Sequence, residues 1–140
     1  MKTRYTPLLK IKKNDLDRCE RELQQANANL KSAESSLAEA YGTLQSLQLP
    51  KSGKIQDMLS AKAYINSQRL IVNDKKDWVL FASKQVDAAI SKLKSSNVEY
   101  EKFKYLNLEE VKKALKQRSI KESKDLDEIA IMTHNGKGNI

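Results

Sequence analysis

Cysteine, histidine, tryptophan, proline and glycine are all scarce in this 140-residue chain, and each scarcity excludes something. One cysteine, Cys19, rules out an intrachain disulfide and reads as a small apolar residue. One histidine, His134, beside one cysteine supplies no zinc set, so no metal and no cofactor are expected. Hydrophobic residues make up 39% and aromatics 6%, with 31% charged, too little apolar material for a compact globular core. No apolar run approaches the ~20 residues that span a bilayer. No apolar stretch follows Met1, so no secretory signal is expected. Ser52-Gly53-Lys54 touches the end of a phosphate loop but lacks the upstream glycine, and Ile55 stands where Ser or Thr is required. Carboxylates are scattered along the chain with no cleft to perturb them, so no catalytic residues are assigned and no enzyme is expected.

What the chain does have is period. Leu9, Leu16, Leu23, Leu30, Leu37 and Leu44 recur every seven residues, and Lys12, Cys19, Ala26, Ala33, Ala40 and Leu47 follow three behind. A second series repeats the pattern with Met58, Ile65, Val72, Val79, Val86, Leu93 and Tyr100 at position a. Its d positions are Ala61, Gln68, Lys75, Ala82, Ala89, Ser96 and Phe103. Sevens sustained this long specify supercoiled helices, because a straight helix drifts off such a stripe.

Pro50 and Gly53 interrupt the period between the two series. The fold expected is all-α: a long two-helix antiparallel coiled-coil hairpin over 1–132 with a C-terminal helical overhang. Helices are expected over about 6–48 and 57–132, with a turn over about 48–57. Thr6-Pro7 is a good helix start, a capping hydroxyl before a proline. Antiparallel seams pair a with d, and a register in which facing residue numbers add to 105 gives a short turn. It sets Leu44 against Ala61, Ala33 against Val72 and Leu23 against Ala82, large against small. It leaves two weak layers, Leu30 against Lys75 and Leu37 against Gln68. The next heptad slip strands Met58 and Leu59. The 105 register places Met1 beside Lys104 and Tyr5 near Tyr100, so everything beyond Lys104 overhangs. Apolar spacing there resumes at Leu108, Val111 and Leu115, and residues 133–140 are expected to be disordered.

Two surface features stand out. On the outer flank of the second helix, Ile71, Trp78 and Phe81 line up beside Leu70. They either lap over the first helix and widen the seam or form a docking patch. The second feature is charge: the net charge is +8, with a basic cluster near the N-terminus and Lys112, Lys113, Lys116 and Arg118 in the overhang. Such a run is a solvated face, a surface for an acidic protein, or an RNA-binding helical arm. Little aromatic interleaving and no nucleic-acid motif leave RNA second, with a parallel-dimer scaffold coiled coil as a further alternative.

Three stretches resemble the FliJ family of flagellar type III export proteins and the related YscO-type proteins. They are Leu8-Leu9-Lys10-Ile11-Lys12-Lys13, the middle segments Tyr64–Gln68 and Gln85–Ala89, and Lys124-Asp125-Leu126-Asp127-Glu128-Ile129-Ala130. The resemblance implies a soluble, non-catalytic, monomeric cytoplasmic protein at the flagellar base, needed for motility. It implies three partners: a hexameric export ATPase, whose central pore would receive the stalk-like coiled coil, the cytoplasmic domain of the export gate, and export chaperones that it cycles. Contact with the membrane would be indirect, and no nucleic acid is expected. Family members bind the gate through apolar residues partway along the second helix. Leu70 matches the first of these, but Asp74 stands at the second, which moves the expected patch to Ile71, Trp78 and Phe81.

Overall fold

A computed structural model describes residues 2–51 and 53–138, with side chains described as far as Asn135. Two helices account for nearly all of it: α1, Thr6–Ser46, and α2, Ile55–Gly138. Both are long because nothing between their ends breaks them, and the helix limits lie within two residues of three of the four expected. The fourth differs: α2 runs through 133–138, where a disordered tail is expected, and residues 139–140 lie outside the described residues. Gly53, at φ +144°, makes the reversal between them, a backbone conformation that side-chain-bearing residues rarely adopt.

The helix ends are closed by short-range hydrogen bonds. Thr3 and Thr6 bond reciprocally: the Thr3 N–H donates to Thr6 Oγ1 (3.0 Å) and the Thr6 N–H to the Thr3 carbonyl (3.2 Å), while Thr3 Oγ1 accepts from the Tyr5 N–H (3.1 Å). The capping role expected of Thr6 therefore belongs to Thr3, in an arrangement akin to a capping box. At the far end of α1, Ser46 Oγ donates to the Thr43 carbonyl (2.7 Å) and the Leu47 N–H to the Leu44 carbonyl (3.2 Å). α1 has no acid in its first turn and no base in its last, so its dipole is uncompensated by its own side chains.

The chain divides into two compact units, Leu16–Ser96 and Met1–Asp15 with Asn97–Ile140. In Leu16–Ser96 the helices pack along the predicted seam. Leu16, Cys19, Ala33 and Ala40 of α1 and Gln68, Val72, Ala82 and Val86 of α2 are buried, and every one is an a or d residue. Leu23, Leu30, Leu37, Leu44, Ile65, Val79 and Leu93 are half-buried, as two-helix packing allows. Met58, expected in the core, is instead exposed.

Met58 is outside because the register is one heptad from the expected one. Cross-helix partners are Glu22 with Lys92 (2.9 Å), Ala40 with Gln68 (3.3 Å) and Tyr41 with Lys76 (5.4 Å). Their numbers add to 114, 108 and 117, which average 113, nearer to 112 than to 105. This register sets Ala40 against Val72, Ala33 against Val79 and Leu30 against Ala82, keeping large against small. It also cures a weak layer. Gln68 moves to the end of α1, where its Nε2 donates to the Ala40 carbonyl, so the one buried polar side chain of the core is satisfied. The short-turn argument fails because the extra residues do not become loop. They prolong α2, and the connection is only residues 47–54.

In the second unit, Lys12 pairs with Glu99 (3.6 Å) and lies over the Phe103 ring (5.5 Å), while Lys13 lies over Tyr100 (5.6 Å). Tyr5 meets Phe103, not Tyr100, with ring centroids 6.4 Å apart. Arg4 pairs with Glu110 (3.1 Å), and Thr3 Oγ1 donates to Asn107 Oδ1. Paired structure thus reaches beyond Lys104, through the formal a and d residues Asn107 and Glu110. Val111 and Ala114 are half-buried, whereas Leu108 and Leu115 are exposed, so the expected stripe is not the packed face and the overhang starts near Leu115.

Three expectations follow. With Cys19→Ser in the background, Leu30→Cys with Ala82→Cys forms an intramolecular disulfide on oxidation. Leu23→Cys with Ala82→Cys does not, since one heptad separates them by about 10 Å along the seam. The reverse result on non-reducing gels would restore the 105 register. Ala33, 1% exposed, has no room to grow, so Ala33→Leu costs roughly 1–3 kcal/mol. Gly42, with nothing within 4 Å of an added Cβ, gains about 1 kcal/mol as Ala. Denaturant melts of the two variants check both signs.

Candidate protein-interaction site

Trp78, Phe81, Leu70 and Ile71 lie off the a and d positions of α2, and the seam does not absorb them. Trp78 is 58% exposed and Phe81 53%, and Leu70 and Ile71 are exposed as well. The two rings stack with centroids 5.7 Å apart and planes at 20°. One turn of helix separates them, so the stack is held by the backbone and costs little ordering.

The rings border three grooves, two of them between the helices. One is lined by Trp78, Phe81, Ala82 and Gln85 of α2 and by Asn29 and Ser32 of α1. A neighbouring groove continues past Phe81 and Gln85 to Gln25, Ala26 and Glu22. A third, on the other side of Trp78, is lined by Ile71, Asp74 and Lys75. Leu70 lines none of the three. The floors are apolar and small (Ala26, Ala82), and the walls carry amides. This combination can seat an apolar side chain while hydrogen-bonding its backbone.

Sequence reasoning finds the rings and misses the α1 half of the site. Asn29, Ser32 and Gln25 sit beside Trp78, Phe81 and Gln85 only in the register near 112. In the 105 register Asn29 faces Lys76, and no groove can be drawn. The signal was present in the second a–d solution.

At the edge of the groove the Lys92 ammonium donates to Glu22 and holds its carboxyl below the ordinary value, with Arg18 adding to the pull. A depressed carboxyl contributes stability above its unfolded pKa and loses it as pH falls through the folded one. The pair is therefore fully formed at neutral pH and opens in acid.

Lys112, Lys113, Lys116 and Arg118 of α2 are all exposed. Lys112, Lys113 and Lys116 fall within about 100° of one another around the helix, but Arg118 lies about 120° from Lys112. Arg118 pairs with Glu122 (3.3 Å) and Lys112 with Glu109 (3.8 Å). The three lysines thus share one face of α2, and Arg118 lies to one side of it.

Among the described residues no group of His, Cys, Asp and Glu could hold a metal ion. Among the same residues no helix is long and apolar enough to cross a membrane. Fold and surface together define an antiparallel coiled-coil hairpin whose distinctive groups face outward. The family model of the flagellar FliJ protein matches residues 1–139, and the chain belongs to that family. It is similar to a solved structure from Chlamydia trachomatis, the protein CT670, described as a YscO homologue. The two are 26% identical with a TM-score of 0.77, and 96% of each chain is covered. No curated protein sequence matches the chain. Family and structural likeness make it a component of flagellar or type III export.

Removing the exposed rings should leave the fold alone. Trp78→Ala and Phe81→Ala are expected to unfold within about 0.5 kcal/mol of wild type, followed by circular dichroism. A drop of many degrees would mean that the rings belong to the seam.

Proposed function

We propose that the protein is a non-catalytic, cytoplasmic coupling element of the export apparatus, stalk-like and monomeric, which links a hexameric export ATPase to the export gate. The observation that carries this reading is the stacked Trp78–Phe81 pair, more than half exposed on a helix whose seam is already filled. Ile71, Trp78 and Phe81, with Leu70 at the margin, form the surface for the gate's cytoplasmic domain. Rigid aromatic anchors beside a small-residue groove are what binding hot spots use. The three-lysine face of Lys112, Lys113 and Lys116, with Arg118 to one side, is the surface for the acidic pore of the ATPase ring. Cycling of emptied export chaperones follows from the same position between ring and gate.

Each surface has its own test. Trp78→Ala is expected to cost about 2 kcal/mol of binding to the gate's cytoplasmic domain while its melt stays near wild type. The emission of the sole tryptophan moves to the blue as the gate covers it. Charge reversal at Lys112, Lys113 and Lys116 weakens ATPase association and secretion with helicity unchanged, and reversal at Arg118 alone does less. Tight, salt-dependent binding to RNA with none to an ATPase ring would replace this reading with that of an RNA-binding arm.

A further inference from the structure

The 112 register has a consequence at the reversal in unit Leu16–Ser96. Leu47 stands against Ile65, so the first ten residues of α2, about 15 Å of helix, have no α1 residues opposite them. Large apolar side chains there and in the connection stay in water: Ile55 is 75% exposed, Leu59 61%, Leu49 54% and Met58 41%. Ile55, Met58 and Leu59 fall within about 100° around the helix, and Lys62 falls among them. Lys51 and Lys54 flank them in the connection, and Asp57 is the one acid between Leu47 and Tyr64.

We propose that this tip is a lipid-contacting element that dips Leu49, Ile55, Met58 and Leu59 shallowly into an anionic membrane surface. The exposed apolar groups are gathered at the end of a hairpin, where they can enter a headgroup layer without carrying the rest of the chain with them. Lys51 and Lys54 flank them and Lys62 lies among them, and each lysine near an anionic leaflet adds to attraction. Charge favours lipid: three lysines against one acid suit an anionic surface, and a fluid lipid layer needs no shape complement. A second copy fits poorly, because one decapeptide of helix on each side falls short of the ~1,200 Å² that a stable interface buries. The contact is independent of the gate and ATPase surfaces, which use other residues.

The test is co-sedimentation of the full chain with vesicles of phosphatidylglycerol and phosphatidylcholine, against vesicles of phosphatidylcholine alone. Binding is expected to the anionic vesicles only and to weaken with salt. Ile55→Asp with Leu59→Asp lowers it at least tenfold, with helicity and melting unchanged. A tip probe separates this site from the basic segments elsewhere. In a Trp78→Phe background, Leu59→Trp shifts to the blue on anionic vesicles and is quenched by brominated lipid. Three results would each overturn the proposal: no sedimentation of the wild-type chain, sedimentation that the aspartates leave unchanged, or emission from the Leu59→Trp probe unmoved by vesicles. A dimer in solution that the aspartates dissolve would assign the tip to a second copy instead.

Discussion

Helices approach closely only where one presents a small side chain to the other's large one, and this constraint governs the whole chain. Ala33 and Ala40 are buried almost completely because a branched residue of α2 stands opposite each, and Val72 and Val86 are buried for the reciprocal reason. A seam of this kind uses about two positions in seven. The remaining five stay outside whatever their chemistry, so a tryptophan, a phenylalanine or a lysine can be placed there with little effect on folding. The scarcity of aromatics and the high charge follow from the same arithmetic.

Most of the architecture is legible because it depends on period, which a sequence displays directly. Both heptad series, the reversal near Pro50 and Gly53, and the burial of Cys19 need no partner to be read. Register is different, since it is a comparison between two solutions seven residues apart. The choice of 105 rested on keeping the connection short, and a lengthened helix evades that argument. Gln68 held the better clue, because a buried amide needs a partner, and it finds one in the Ala40 carbonyl. The same slip concealed Asn29, Ser32 and Gln25 and exposed Met58. Thr3 was missed because a cap before a proline looks complete without it.

Aromatic groups on a regular helix have advantages over groups on a loop. Their spacing is fixed by the backbone, and the stack of Trp78 on Phe81 limits their rotamers before any partner arrives. The α1 amides add a condition: they stand beside the rings only while the hairpin is closed. A partner that uses both therefore recognises the paired state and not either helix alone.

The spread of partner separations along the seam sets an order of assembly. Gln68 and Ala40 are 28 residues apart, Lys92 and Glu22 are 70, and Thr3 and Asn107 are 104. The entropic cost of loop closure rises with each of these, so contacts near the reversal form first and those of Thr3 and Arg4 with Asn107 and Glu110 last. On the ribosome, α1 is complete long before Phe103 emerges, and its leucines wait without a partner. The amides and charges that crowd its other faces keep that waiting helix in solution. The N-terminal residues, joined last, are also the first to exchange their amide protons with water.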